Sequence, residues 1–318
     1  MKRNFVAKVL PGTSAILMLM APLQESSQAR TAPTAPSAPA QVATSSAPDR
    51  NDGPQALVSD GKGSIWVANR FSNTVSKLQG GRLVATYKVG NRPTGLAFDG
   101  THVWVSNLQS DTVMKLSAST GALLATIPVK GRPGAMTYDG SNLWVVCRGA
   151  GAVTKISAAY GTIVGSFPVG NQPAGVAFDG SNVWVANSLG QSVTRLARDG
   201  TDLGTFAAGR GPFAVAYDGV SIWVSNFDGN TLTKLSPSDG STLGTVTVGN
   251  NPAGLMFDGI SLWVVNHGSN NVMKLNPRNG TVLATYNTGT GPYAVVSDGM
   301  NSWVSNSGSS TVSIITPQ

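Results

Sequence analysis

Residues 93–129, PTGLAFDGTHVWVSNLQSDTVMKLSASTGALLATIPV, hold four short apolar runs divided by turn residues. GLAFD (95–99) ends at Asp99-Gly100, a dipeptide that favours a tight hairpin. HVWVSN (102–107) and TVMKL (112–116) alternate with the period of two expected of half-buried strands. ALLATIPV (122–129) follows another glycine-containing turn. The stretch predicts four consecutive strands, A to D, joined by short turns.

The same pattern returns along most of the chain. All seven tryptophans occupy one repeat position: Trp66, Trp104, Trp144, Trp184, Trp223, Trp263 and Trp303. Their spacings are 38, 40, 40, 39, 40 and 40 residues. A period near 40 with four strands per unit is that of propeller blades, and the spacing of helical repeats is missing. The fold class expected is therefore all-β: a seven-bladed β-propeller of four-stranded antiparallel blades. The repeats start at Pro54, Pro93, Pro133, Pro173, Pro212, Pro252 and Pro292.

Strands A, B and C occur seven times, but strand D occurs six times before the sequence stops at Gln318. An unclosed ring would carry a bare sheet edge. Ala40-Gln41-Val42-Ala43-Thr44 resembles Leu123-Leu124-Ala125-Thr126 of a D strand, so it is expected to pair with the last C strand and close the ring.

Composition agrees with a β protein. Of 318 residues, 38 are glycine and 12% are charged, about half the charge usual in soluble domains. Lys2, Arg3 and Lys8 flank the apolar run VLPGTSAILMLMAPL (9–23), and Ser27-Gln28-Ala29 offers small residues for cleavage. Residues 1–29 read as a secretory signal, 30–39 as an Ala/Pro-rich disordered linker, and 40–318 as one propeller domain. Export to the periplasm or the medium follows, with no membrane span in the mature chain. Cleavage would remove the only glutamate, Glu25, and leave 19 basic against 14 acidic residues. One cysteine, Cys147, excludes an internal disulfide.

The repeat P-x-G/A-x-x-x-D-G-x-x-h-W-V-x-N, then T-V-x-K-L, then x-T-G-x-x-h-x-T-h-x-V-G (h, apolar), resembles the YVTN and NHL classes of β-propeller repeat from Pro54 to Gln318. The arrangement is similar to YncE-like exported propellers and, more loosely, to virginiamycin B lyase-like propellers. The lyase resemblance implies a magnesium site and acid–base chemistry by Glu and His. A mature chain without Glu offers no position to which those catalytic residues can be transferred, so no catalytic residue, cofactor or metal is assigned.

Most repeated side chains read as structural. Asp60, Asp99, Asp139, Asp179, Asp218, Asp258 and Asp298 suit the A–B turns. The tryptophans suit the space between blades, and Lys77, Lys115, Lys155, Arg195, Lys234 and Lys274 suit the rim. Asn69, Asn107, Asn187, Asn226, Asn266 and Asn306 suit the caps of the B–C turns, with Cys147 standing in their place in blade three.

Positions that differ between blades point to a ligand. In this fold the D–A and B–C connections surround one mouth of the central channel. There Arg70, Arg92, Arg132 and Arg148 form a basic arc over blades one to three, and Phe213, Phe227, His267 and Tyr293 fall on blades five to seven. A cationic half facing an aromatic half suits an acidic or amphipathic ligand: a polymer, a peptide or single-stranded nucleic acid. The sequence thus describes an exported, monomeric binding or scaffold module. The alternative is a lyase- or hydrolase-type enzyme on the same fold. A Cys147–His267 pair is not expected to meet, since the two lie nearly opposite across the channel.

Overall fold

The computed structural model describes residues 42–46 and 53–316. Residues 1–29, read above as a signal, residues 30–39, read as a linker, and Ala40 and Gln41 lie outside the described residues.

The described residues form 28 strands and no helix. They make seven antiparallel sheets of four strands, each ordered A-B-C-D from inside to outside. Every A strand starts at the expected proline, as in Pro54–Ser59, Pro93–Phe98 and Pro292–Ser297. In blade two the remaining strands run His102–Asn107, Thr112–Ser117 and Leu123–Pro128. These boundaries differ by one or two residues from those read in the sequence. The inner strand begins at its proline, not at Gly95, because Pro93 already pairs with Asn107 before a bulge.

Blade seven takes its fourth strand from the start of the chain. Val42–Ser46 pairs antiparallel with Thr311–Ile315, from Val42 opposite Ile315 to Ser46 opposite Thr311. The closing strand lies two residues further on than Ala40–Thr44. The A strands contact one another around the whole ring, blade seven against blade one included.

Tryptophan holds the blades apart at a fixed distance and glues them together. Six of the seven are fully buried, and each packs against the next blade. Trp303 closes the circle against Ile65, Val67 and Leu78 of blade one. Burying such a ring is worth about 2–3 kcal/mol.

The repeated aspartates do more than turn the chain. In six blades one carboxylate oxygen accepts the indole N–H five residues on, at 2.6–2.8 Å. The other oxygen accepts backbone amides of the turn, as Asp99 does from Thr101 and His102. Burial works to raise the Asp99 and Asp139 carboxyls, but the indoles of Trp104 and Trp144 and the turn amides outweigh it and hold both below the ordinary value. Blade one departs from this rule. Its turn, Asp60-Gly61-Lys62-Gly63-Ser64, is one residue longer, so Trp66 stands six residues after Asp60 and its buried indole N–H has no partner.

The repeated lysines join blades as well as covering them. Their ammonium groups sit 4.9–5.3 Å from the tryptophan ring of their own blade. Lys77, Lys115 and Lys234 also donate to the C–D turn of the next blade, at Ala118, Ala158 and Pro277. Arg195 does the same at Pro237 and Ser238.

Candidate functional site at the channel mouth

The mouth is assembled from paired strand ends. Each A strand's opening proline pairs with the asparagine (or cysteine) that ends strand B, as Pro54 does with Asn69 and Pro133 with Cys147. The residues that follow each partner of the pair, such as Gln55 and Arg70, both line the channel. The residue before each proline is left-handed in every blade, including Arg92 (φ 55°), Arg132 (φ 60°) and Gln172 (φ 50°). That costly conformation is fixed from the preceding blade: Asn73 Oδ1 accepts the Arg92 amide at 2.8 Å, and Asp111 Oδ1 accepts that of Arg132 at 2.7 Å.

The channel holds a cavity of about 270 Å³ lined by Gln55, Arg70, Arg148, Phe213 and Tyr293, with small residues such as Gly134 and Ala174 between them. A second cavity of about 440 Å³ lies against blades seven and one, lined by Phe71, His267, Thr290 and Ser307. Gln55, Arg70 and Tyr293 belong to both walls.

The four aromatic side chains singled out in the sequence converge. Phe213 lies 5.6 Å from Phe227 and 5.5 Å, edge-on, from Tyr293. His267 closes the set at 6.0 Å from Phe227 and 6.3 Å from Tyr293. The His267 Nδ1–H donates to the Pro292 carbonyl at 3.0 Å, which fixes the ring. Burial pushes the Tyr293 hydroxyl up; a hydrogen bond from Gln55 and the charge of Arg148 act against it. The Arg148 charge therefore reaches the aromatic side of the mouth.

The four arginines divide. Arg70 and Arg148 line the channel, whereas Arg92 and Arg132 are absent from both cavity walls. Arg92 is half-buried in its loop and Arg132 is exposed. Arg70 lies 5.5 Å over the Phe71 ring, and Arg148 donates to Gln172 Oε1 at 3.0 Å. Sequence reasoning missed Gln55, which is 6% exposed. It stood in the same series of post-proline positions as Phe213 and Tyr293, but a neutral amide carries neither the charge nor the ring that drew attention to the others.

Nucleophilic chemistry finds little support in this geometry. Cys147 is buried, its Sγ lies 3.3 Å from Thr154 Oγ1, and burial pushes its thiol up, away from a reactive thiolate. His102 bonds Asp99 at the opposite face. Among the described residues no group of three or more His, Cys, Asp or Glu could hold a metal ion.

No described protein family matches the sequence, and no curated protein matches it. Solved structures do. Virginiamycin B lyase from Staphylococcus aureus superimposes with a TM-score of 0.76 at 17% identity, over 88% of this chain and 100% of that one. Hydrazine synthase from Kuenenia stuttgartiensis gives 0.75 at 20% identity, over 84% and 96%. The WD40 propeller domain of Doa1 gives 0.75 at 12%, over 88% and 97%. The chain is a seven-bladed β-propeller. Neighbours at such identities share its fold, and function has to be argued from the site.

Proposed function

We propose that this protein is an exported propeller of the YVTN/NHL, YncE-like kind that binds a small amphipathic anion at its channel mouth. One observation carries the reading: Arg70, Arg148, Phe213 and Tyr293 line one cavity of about 270 Å³, and the rings of Phe227 and His267 pack against those two aromatics. Rings of this sort favour a flat apolar group, and guanidinium favours a carboxylate or phosphate beside it. The export half of the reading rests on residues 1–29, with Lys2, Arg3 and Lys8 ahead of an apolar run. Among the described residues no helix is long and apolar enough to cross a membrane.

Protein expressed from Met1 and recovered outside the cytoplasm should begin at Arg30 and bind 3-phenylpropionate and indole-3-acetate by titration calorimetry. Arg148→Gln and Phe213→Ala should each weaken binding about fivefold or more, and only the former should flatten its salt dependence. Arg82→Gln, on the exposed outer strand of blade one, is the charge control. Equal losses from Arg148→Gln and Arg82→Gln would defeat the reading.

A further inference from the structure

We propose that the mouth reads an amide, so that its ligand is a short peptide or N-acyl amino acid with an aromatic side chain and a free carboxylate. This rests on the reading above and narrows it. Of the buried polar atoms without a partner among the described residues, two belong to residues that line the cavities: Gln55 Oε1 and the Arg70 Nε–H. Both residues line the channel cavity and the side cavity. They lie diagonally across the first pair of the blade-one hairpin, since Pro54 pairs with Asn69 and the Arg70 amide donates to the Gly53 carbonyl at 3.2 Å. Buried groups of this kind are nearly always satisfied in folded proteins, and an exception at a cavity wall marks a place where something else completes the bond.

The chemistry of the pair is specific. Arg70 lacks an acceptor and Gln55 lacks a donor. The Gln55 carbonyl oxygen is a buried acceptor without a donor, on a residue that lines the cavity. A secondary amide answers both needs through its C=O and N–H. A carboxylate in that place would satisfy Arg70 and face Gln55 Oε1 with a second acceptor; an ester would leave Gln55 unmet. The carboxylate is then left to Arg148 and the ring to Phe213 and Tyr293. A nucleic-acid strand fits less well, since Arg92 and Arg132 stand outside the cavity walls and two arginines make no track for successive phosphates.

The test compares three probes on the unmodified full chain: N-acetyl-L-phenylalanine, its N-methyl analogue at the amide, and 3-phenylpropionate. The first should bind about tenfold tighter than the other two. Gln55→Met should shrink that ratio to within about twofold. Because the ligand series needs no substitution, the result does not depend on how the variant folds. Equal affinity for all three probes would overturn amide recognition while leaving the aromatic-anion reading intact. Failure of all three, with tight binding of an oligothymidylate, would overturn both.

Discussion

Lys130 stands three residues before a blade-starting proline, where five other blades carry Gly90, Gly170, Gly209, Gly249 and Gly289. In blade two a Cβ on Gly90 would come within 2.7 Å of the Asn107 side chain, and one on Gly170 within 2.5 Å of Asn187. Blade three alone replaces the asparagine, with Cys147, and among blades two to seven it alone replaces the glycine; blade one carries Asn51 there. The smaller thiol, turned toward Thr154 and the Val145 carbonyl, leaves room for the lysine stem. Cys147 is thus one half of a steric exchange. Cys147→Asn should cost about 2 kcal/mol through overpacking, and adding Lys130→Gly should recover most of it. Denaturant unfolding of the two single variants and the double variant measures the coupling; strictly additive effects would sink the explanation. None of this was legible from Cys147 alone. The signal lay in a second departure from the repeat, seventeen residues upstream and close only after strand pairing.

At the scale of the hairpin, the A–B turn and the tryptophan form one unit whose spacing must be five residues. Blade one violates it, and its indole N–H is unpaired. Deleting Gly63 gives blade one the turn length of the other six. The shortened chain should be more stable by about 1 kcal/mol if Asp60 then reaches Trp66. Unchanged or lower stability by thermal melting would count against the clamp. Acid should act on the same unit. The folded carboxyls of Asp99, Asp139 and Asp298 lie below their ordinary value of 3.8, because the indole and turn amides outweigh the opposing effect of burial. Their stabilisation is complete above the unfolded value and fades as pH falls through the lowered folded values. The strands themselves were readable because alternation and Asp-Gly turns are local signals. The clamp and the inter-blade lysine bonds were not, since side-chain reach across a blade leaves no trace in periodicity.

For the whole molecule, seven repeats and a missing D strand were enough to foresee both the ring and its fastening. The site was legible only in part. Sequence placed eight residues at one mouth, and the four aromatics did meet. The arginines separated because Arg92 and Arg132 occupy left-handed loop positions before proline while Arg70 and Arg148 directly follow strand B. Sequence position fixes the loop, but the backbone conformation decides where a long side chain goes. Fastening has a direct test. Removing the chain through Ser46 should lower the melting temperature by about 5–10 °C, since strand Thr311–Ile315 loses its partner along five residues. Removing it only through Ala38 should change little. Identical melting of the two truncations would show that Val42–Ser46 contributes nothing.

The register of that closing strand also settles how the protein can be held. Val42 lies opposite Ile315, at the end of the sheet far from the B–C turn that begins at Asn306. Chain entering at Val42 and chain leaving at Thr316 therefore meet on the side away from the arginines and aromatic rings. A bead, a sensor chip or a fused display domain joined directly at Val42 or Thr316 would sit on the side opposite the cavity mouth.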